Sequence, residues 1–206
     1  MSFGDRHLDL LLSRLFHDLI GPVSAARNGL ELVTDFGDDD VGTEAMELVG
    51  LSVEQAIARL TFFRMAFGGA GSSAGHGFAA ALPIARAYLA SRKLEPAFDI
   101  PAGAPTAPTG LIKVMLALMV VAADSLPRGG RVAVSLVPGA VEISGEGDRA
   151  ELAITTREAL KGVGDPEDER AILAFAVARS AKRFGVTVTV ADGAMARFRV
   201  SHPDLP

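Results

Sequence analysis

Between residues 8 and 33 the chain sets Leu8, Leu12, Leu15, Leu19, Pro22, Ala26, Leu30 and Val33 in steps of four and three. Such a stripe is a heptad seam, and it commits the segment to a long helix that must lay one side against other helices. A second pattern runs from about Thr43 to Phe67, with Ala45, Leu48, Ser52, Ala56, Arg59, Phe63 and Phe67 along its stripe. The turn between them is rich in aspartate, and Asp38, Asp39 and Asp40 are candidates to cap the second helix. Two antiparallel helices joined by a short turn form a hairpin that, alone, leaves most of its seam in water. A second copy buries the seam, so the expected assembly is a homodimer with a four-helix bundle at its centre.

Beyond the hairpin the pattern changes. Residues 68–77 are glycine- and serine-rich, a linker by composition, and no Gly-Lys-Ser/Thr follows to make a phosphate loop. The expected elements after it are a helix over 78–91, a strand over 96–100, a buried helix over 109–125, strands over 131–137 and 140–144 about Pro138-Gly139, a helix over 166–184, and strands over 186–191 and 194–201 about Asp192-Gly193. The fold class is therefore α+β: a hairpin domain over 1–70 and an α/β sandwich over 78–206. Composition excludes several functions. The 206 residues include no cysteine, so no disulfide framework or thiolate site exists. A net charge of −5, one Tyr and no Trp argue against nucleic acid as a partner. The longest uncharged apolar run, 114–123, is too short to span a bilayer, and Asp5, Arg6, Asp9 and Arg14 break any leader-like start. The expectation is a cytoplasmic protein with no membrane partner.

On a helical projection His17 falls about 180° from the mean direction of the seam, so it should face solvent in mid-helix. Ser13, Arg14, Ile20, Gly21, Ser24 and Asn28 share that side. Gly21 and Ser24 are small enough for a partner to come close to the imidazole, and Phe16 and Ile20 place apolar groups beside it. Asp18 is positioned to hydrogen-bond Nδ1, which would leave Nε2 free as a nucleophile. Pro22 costs a helix roughly 3 kcal/mol, so its presence inside the pattern implies a local use.

His17-Asp18-Leu19-Ile20-Gly21-Pro22 resembles the H-box of two-component histidine kinases: His, acid, aliphatic, two variable positions, Pro. In that family Nε2 of the histidine accepts a phosphoryl group. The second half is similar in layout to the kinase ATP-binding domain, yet three of that domain's nucleotide contacts are missing. Val121 stands near the place of the metal-binding Asn, and Gly145 stands where an Asp would read adenine. The helix opening Asp168-Glu169-Arg170 has no glycine cluster, and its acidic start would repel triphosphate. Met115, Met119, Val121, Leu173 and Phe175 then read as core.

A kinase-like chain with an H-box and no nucleotide site resembles the ChpT family of histidine phosphotransferases, most closely over residues 13–22 and 28–32. The resemblance implies a degenerate ATPase-like domain, a homodimer, and a relay of phosphoryl groups from the receiver domain of a hybrid histidine kinase to response regulators, including regulators of the bacterial cell cycle. His17 would be the phospho-acceptor. Arg14 would contact the phosphoryl group or receiver acids. Mg²⁺ would come with the receiver, with neither ATP nor a metal bound by this chain. The degenerate domain would offer docking surface near 122–126 or the helix that follows Glu167. Two alternatives compete: an active histidine kinase with a divergent ATP site, and a non-catalytic module that only binds receivers. His7, His76 and His202 lie in different elements and make no metal site.

Overall fold

The computed structural model describes residues 4–37, 39–69 and 77–206. Two long helices come first, α1 (Asp5–Phe36) and α2 (Asp40–Ala66). Asp39 caps α2 by accepting from Gly42 N–H at 2.9 Å, which bears out the expected aspartate cap. Most of the expected linker, residues 70–76 with His76, lies outside the described residues, as does Asp38. The remaining elements are α3 (Phe78–Ser91), β1 (Glu95–Asp99), α4 (Leu111–Asp124), β2 (Arg131–Val137), β3 (Ala140–Glu146), α5 (Ile154–Leu160), α6 (Glu169–Phe184), β4 (Thr187–Val190) and β5 (Arg197–Ser201).

Among the described residues the sheet runs β1-β2-β3-β5-β4. The β1–β2 pair is parallel and the others are antiparallel, so the sheet is mixed. The α4 crossover is what permits the parallel pair. Register sets Val132 opposite Gly145, Val134 opposite Ile143, Ile143 opposite Phe198 and Val141 opposite Val200. These residues are buried, and they form the face on which α4 lies. Alternate positions make the outer face, where Glu142 meets Arg199 at 2.6 Å and Glu146 meets Arg131 at 2.7 Å. Helix α4 is buried from Leu111 to Ala123 and, apart from Lys113, apolar all round, the central beam of the domain.

Three local expectations change. The seven-residue α5 has no side-chain N-cap and too few turns to show a period, so its residues carry no helix signal. The final strands are shorter than the pattern implied: residues 191–196 form a loop, with Gly193 at φ +98°, in place of a two-residue turn. The boundary at residue 70 is less clean than composition suggests, because Phe62, Phe63, Met65 and Ala66 of α2 belong to the core of the second half. Phe62 stacks on Tyr88 of α3 with ring centroids 4.0 Å apart.

The start of α4 depends on Gly110. Its φ is +81°, and a Cβ there would come within 2.2 Å of the Phe184 ring. Gly110→Ala is expected to lower stability by about 2–4 kcal/mol, through left-handed strain plus overpacking, as read by urea denaturation.

Candidate functional site: an exposed histidine over a charged joint

His17 lies in the middle of α1, and its side chain is 77% exposed. Ser13, Ile20, Gly21, Ser24 and Asn28 are exposed too, so these expected neighbours do share the open side. Phe16 and Ile20 are more than half exposed, an apolar flank beside the imidazole. Ser13 already has a partner, donating to Glu169 Oε1 at 2.8 Å.

Arg14 departs from expectation. It is 7% exposed rather than open to a partner. Its position is about 60° around the helix from His17, and the second half of the chain covers that flank. Its Nη2 donates to both carboxylate oxygens of Asp124, at 2.9 and 2.8 Å, and its Nη1 donates to Asp18. Asp18 departs as well. Its Oδ1 sits 3.8 Å from His17 Nδ1, beyond hydrogen-bond reach, because the carboxylate turns inward to Arg14. Its Oδ2 is buried with no hydrogen-bond partner among the described residues. An i,i+4 Arg–Asp spacing was the signal for this pair, and Asp124, an acid ending an apolar run, was the signal for its third member.

The ionic cluster extends further. Arg92 donates to Asp124 at 2.9 Å and to the Tyr88 hydroxyl at 3.0 Å. Burial works against the Arg14 charge, but Asp124 and then Asp18 outweigh it and hold the guanidinium above its usual range. Other ties fasten the hairpin nearby. His7 Nδ1 accepts from Gly4 N–H, its Nε2 faces Asp165 Oδ1 at 2.6 Å, and its ring stacks on Phe175. Lys113 of α4 donates to the carbonyl of Gly68.

These contacts shape a cleft of about 800 Å³ between α1, the end of α4 and the start of α6. His17 stands on its wall, with Asp124, Leu126, Asp168, Glu169 and Arg170 facing it. Residues near 122–126 and the beginning of α6 are thus brought beside the imidazole. At α6 the Asp168 side chain accepts from Arg170 and Ala171 N–H at 2.8 and 2.7 Å, so the helix end is filled by its own carboxylate.

The three places compared with a nucleotide site also converge. Val121 and Arg170 line a void of only about 20 Å³ beside Ser125 and Leu152. Gly145 packs so closely that a Cβ would come within 2.9 Å of Ala122 O and Ser125 Oγ. Met115, Met119, Val121, Leu173 and Phe175 are all core, as expected.

A helical hairpin that displays one histidine, joined to a helix-backed mixed sheet, defines a two-part architecture in which the second part forms a wall of the first part's site. Residues 78–195 match the histidine phosphotransferase C-terminal domain, and the chain belongs to that family. Over 128 residues it is 38% identical to the protein phosphotransferase ChpT of Brucella abortus (strain 2308), an alignment spanning 62% of this chain and 59% of that protein. It also superposes on a solved bacterial phosphotransferase with a TM-score of 0.81 at 27% identity, covering 98% of each chain.

Tyr88 is the chain's one tyrosine and there is no tryptophan, so near-UV absorbance reads the joint directly. Burial pushes this phenol up to about 12, against the opposing pull of Arg92. The native protein is expected to ionise near that value rather than at the ordinary value of about 10. Because the raised folded value favours the neutral form, this stabilisation is complete below about pH 10 and is lost as pH rises through the folded value. An alkaline titration showing an ordinary phenol in folded protein would contradict the burial.

Proposed function

We propose that this chain is a homodimeric histidine phosphotransferase that relays phosphoryl groups between receiver-domain aspartates of a hybrid histidine kinase and response regulators through His17. The observation that carries this reading is the exposed imidazole on the wall of a preformed cleft. Nε2 attacks phosphorus of the aspartyl phosphate in line; the N–P bond forms, the acyl O–P bond breaks, and the receiver carboxylate leaves with the electron pair. The reverse sequence loads the next receiver. The transition state of such transfers is loose, so positioning and charge neutralisation dominate. Ser13, Ile20, Gly21, Ser24 and Asn28 form the contact face, and the receiver brings Mg²⁺. Arg14 and Asp18 act from beneath, holding the helix turn on the second half rather than touching phosphorus.

The void of about 20 Å³ and the self-capped α6 support a domain that binds no ATP and serves as a docking wall. That favours phosphotransfer over the autokinase alternative. Among the described residues no helix is long and apolar enough to cross a membrane; a cytoplasmic setting is part of the proposal.

The dimer reading rests on a second face. Phe16, Leu19, Val23, Ala26 and Leu30 repeat in heptad steps along α1, with Met46, Val53, Ile57 and Leu60 along α2, and most of these are half exposed or more in the protomer. Of the original seam, Leu15 and Pro22 are taken up within the protomer, while Leu19, Ala26 and Leu30 also lie on this stripe. A paired seam of this kind is what a second copy covers.

Two outcomes are expected. With receivers charged by acetyl phosphate, wild type acquires acid-labile label and His17→Ala acquires none, while circular dichroism and thermal unfolding stay unchanged because the side chain is exposed. Uptake of label from ATP at His17 would favour the kinase alternative, and receiver signalling unaffected by His17→Ala would favour the binding module. Val23→Glu introduces no clash in the protomer but sets like charges in the seam, so light scattering should report conversion to monomer.

A further inference from the structure

Pro22 has no N–H, so the carbonyl of Asp18, its i−4 partner, has no donor from within the helix. An orphaned carbonyl in a covered place is costly unless something else pairs with it. Arg59 does so: its Nη1 donates to Asp18 O at 2.6 Å. The same guanidinium reaches the end of α3, donating from Nη2 to Ser91 O at 2.9 Å and from Nε to Ser91 Oγ at 3.3 Å. Ser91 in turn donates from its hydroxyl to Tyr88 O at 2.6 Å. One side chain of α2 therefore joins the backbone next to His17 to the second half of the molecule.

The position is chemically odd. Arg59 falls on the same stripe of α2 as Ala45, Ser52, Ala56 and Phe63, where an arginine loses hydration. Burial accordingly pushes its affinity for the proton down. A planar fork of donors matches the three acceptors in a way that no apolar residue and no single ammonium can. Proline at 22 and arginine at 59 are thus two halves of one device: the first removes a donor from the helix, and the second replaces it from outside and fastens the turn to another element.

We infer that Arg59 is a positioning residue for phosphoryl transfer at His17, acting through the proline-freed carbonyl of Asp18. The inference rests on the phosphotransfer reading above. It assigns Arg59 no contact with the reacting atoms; its effect is on the placement of the turn that carries the imidazole relative to the cleft.

The test is a double-mutant cycle on the full chain, read as kcat and KM for transfer from an acetyl-phosphate-charged receiver. Arg59→Ala should lower kcat about tenfold with KM for the receiver little changed, the loss expected for a charge-assisted hydrogen bond. In the Pro22→Ala background the amide at position 22 returns a donor to Asp18 O, and the same Arg59→Ala should cost less than about threefold. Arg59→Lys, measured in both backgrounds, covers the case in which alanine prevents folding; one ammonium cannot serve both Asp18 and Ser91, so it should show the same coupling at reduced size. An equal loss in both backgrounds, or a loss confined to KM, overturns the positioning role while leaving phosphotransfer standing. A wild-type protein that takes no label from any receiver overturns both.

Discussion

The buried ionic cluster in which Asp124 receives Arg14 and Arg92 is the constraint from which the rest of the site follows. It ties a helix of the hairpin to the C-terminal end of α4 and to the residue just after α3. Two cations around one carboxylate, with a second carboxylate from Asp18, nearly balance their charge in a place where water is scarce. A buried cluster of this sort is weak evidence for added stability, because desolvation costs several kcal/mol per ion. Its value is in geometry: directed bonds admit one relative placement of the two halves, where apolar packing would tolerate several. The cleft beside His17 exists because that placement is unique.

Around the cluster the molecule sorts its surfaces by chemistry. One side of α1 is given to the second half through Arg14, His7 and Leu11. Another carries the apolar stripe through Val23 and Leu30. The third displays the imidazole with small and polar neighbours. A 32-residue helix can serve three masters because successive heptad positions point in different directions. Gly29 sharpens the arrangement, since its missing Cβ lets α2 lie so close that a Cβ there would come within 2.7 Å of the Val49 side chain.

Much of this was legible in the residues. Heptad spacing gave the hairpin, the apolar run 114–123 gave the buried beam, Pro138-Gly139 gave its hairpin turn, and the six residues from His17 to Pro22 pointed to the site. The failures share one physical origin. Arg14 was assigned to the open face and Asp18 to the imidazole because a helical projection knows only its own helix, whereas Arg14 turns to Asp124, 110 positions away, and draws the Asp18 carboxylate inward with it. The role of Arg59 was hidden for the same reason: its acceptor is a backbone carbonyl, which leaves no mark in a sequence except the proline that freed it. α5 was missed because seven residues cannot display a period.

The self-capped start of α6 has a wider meaning. A helix terminus open to water is a standing invitation to any passing anion, nucleotide phosphates among them. Asp168 closes that terminus with the chain's own carboxylate, so two of its amides are already satisfied from within. In the proposed relay, traffic through His17 would then be set by which proteins meet and in what state.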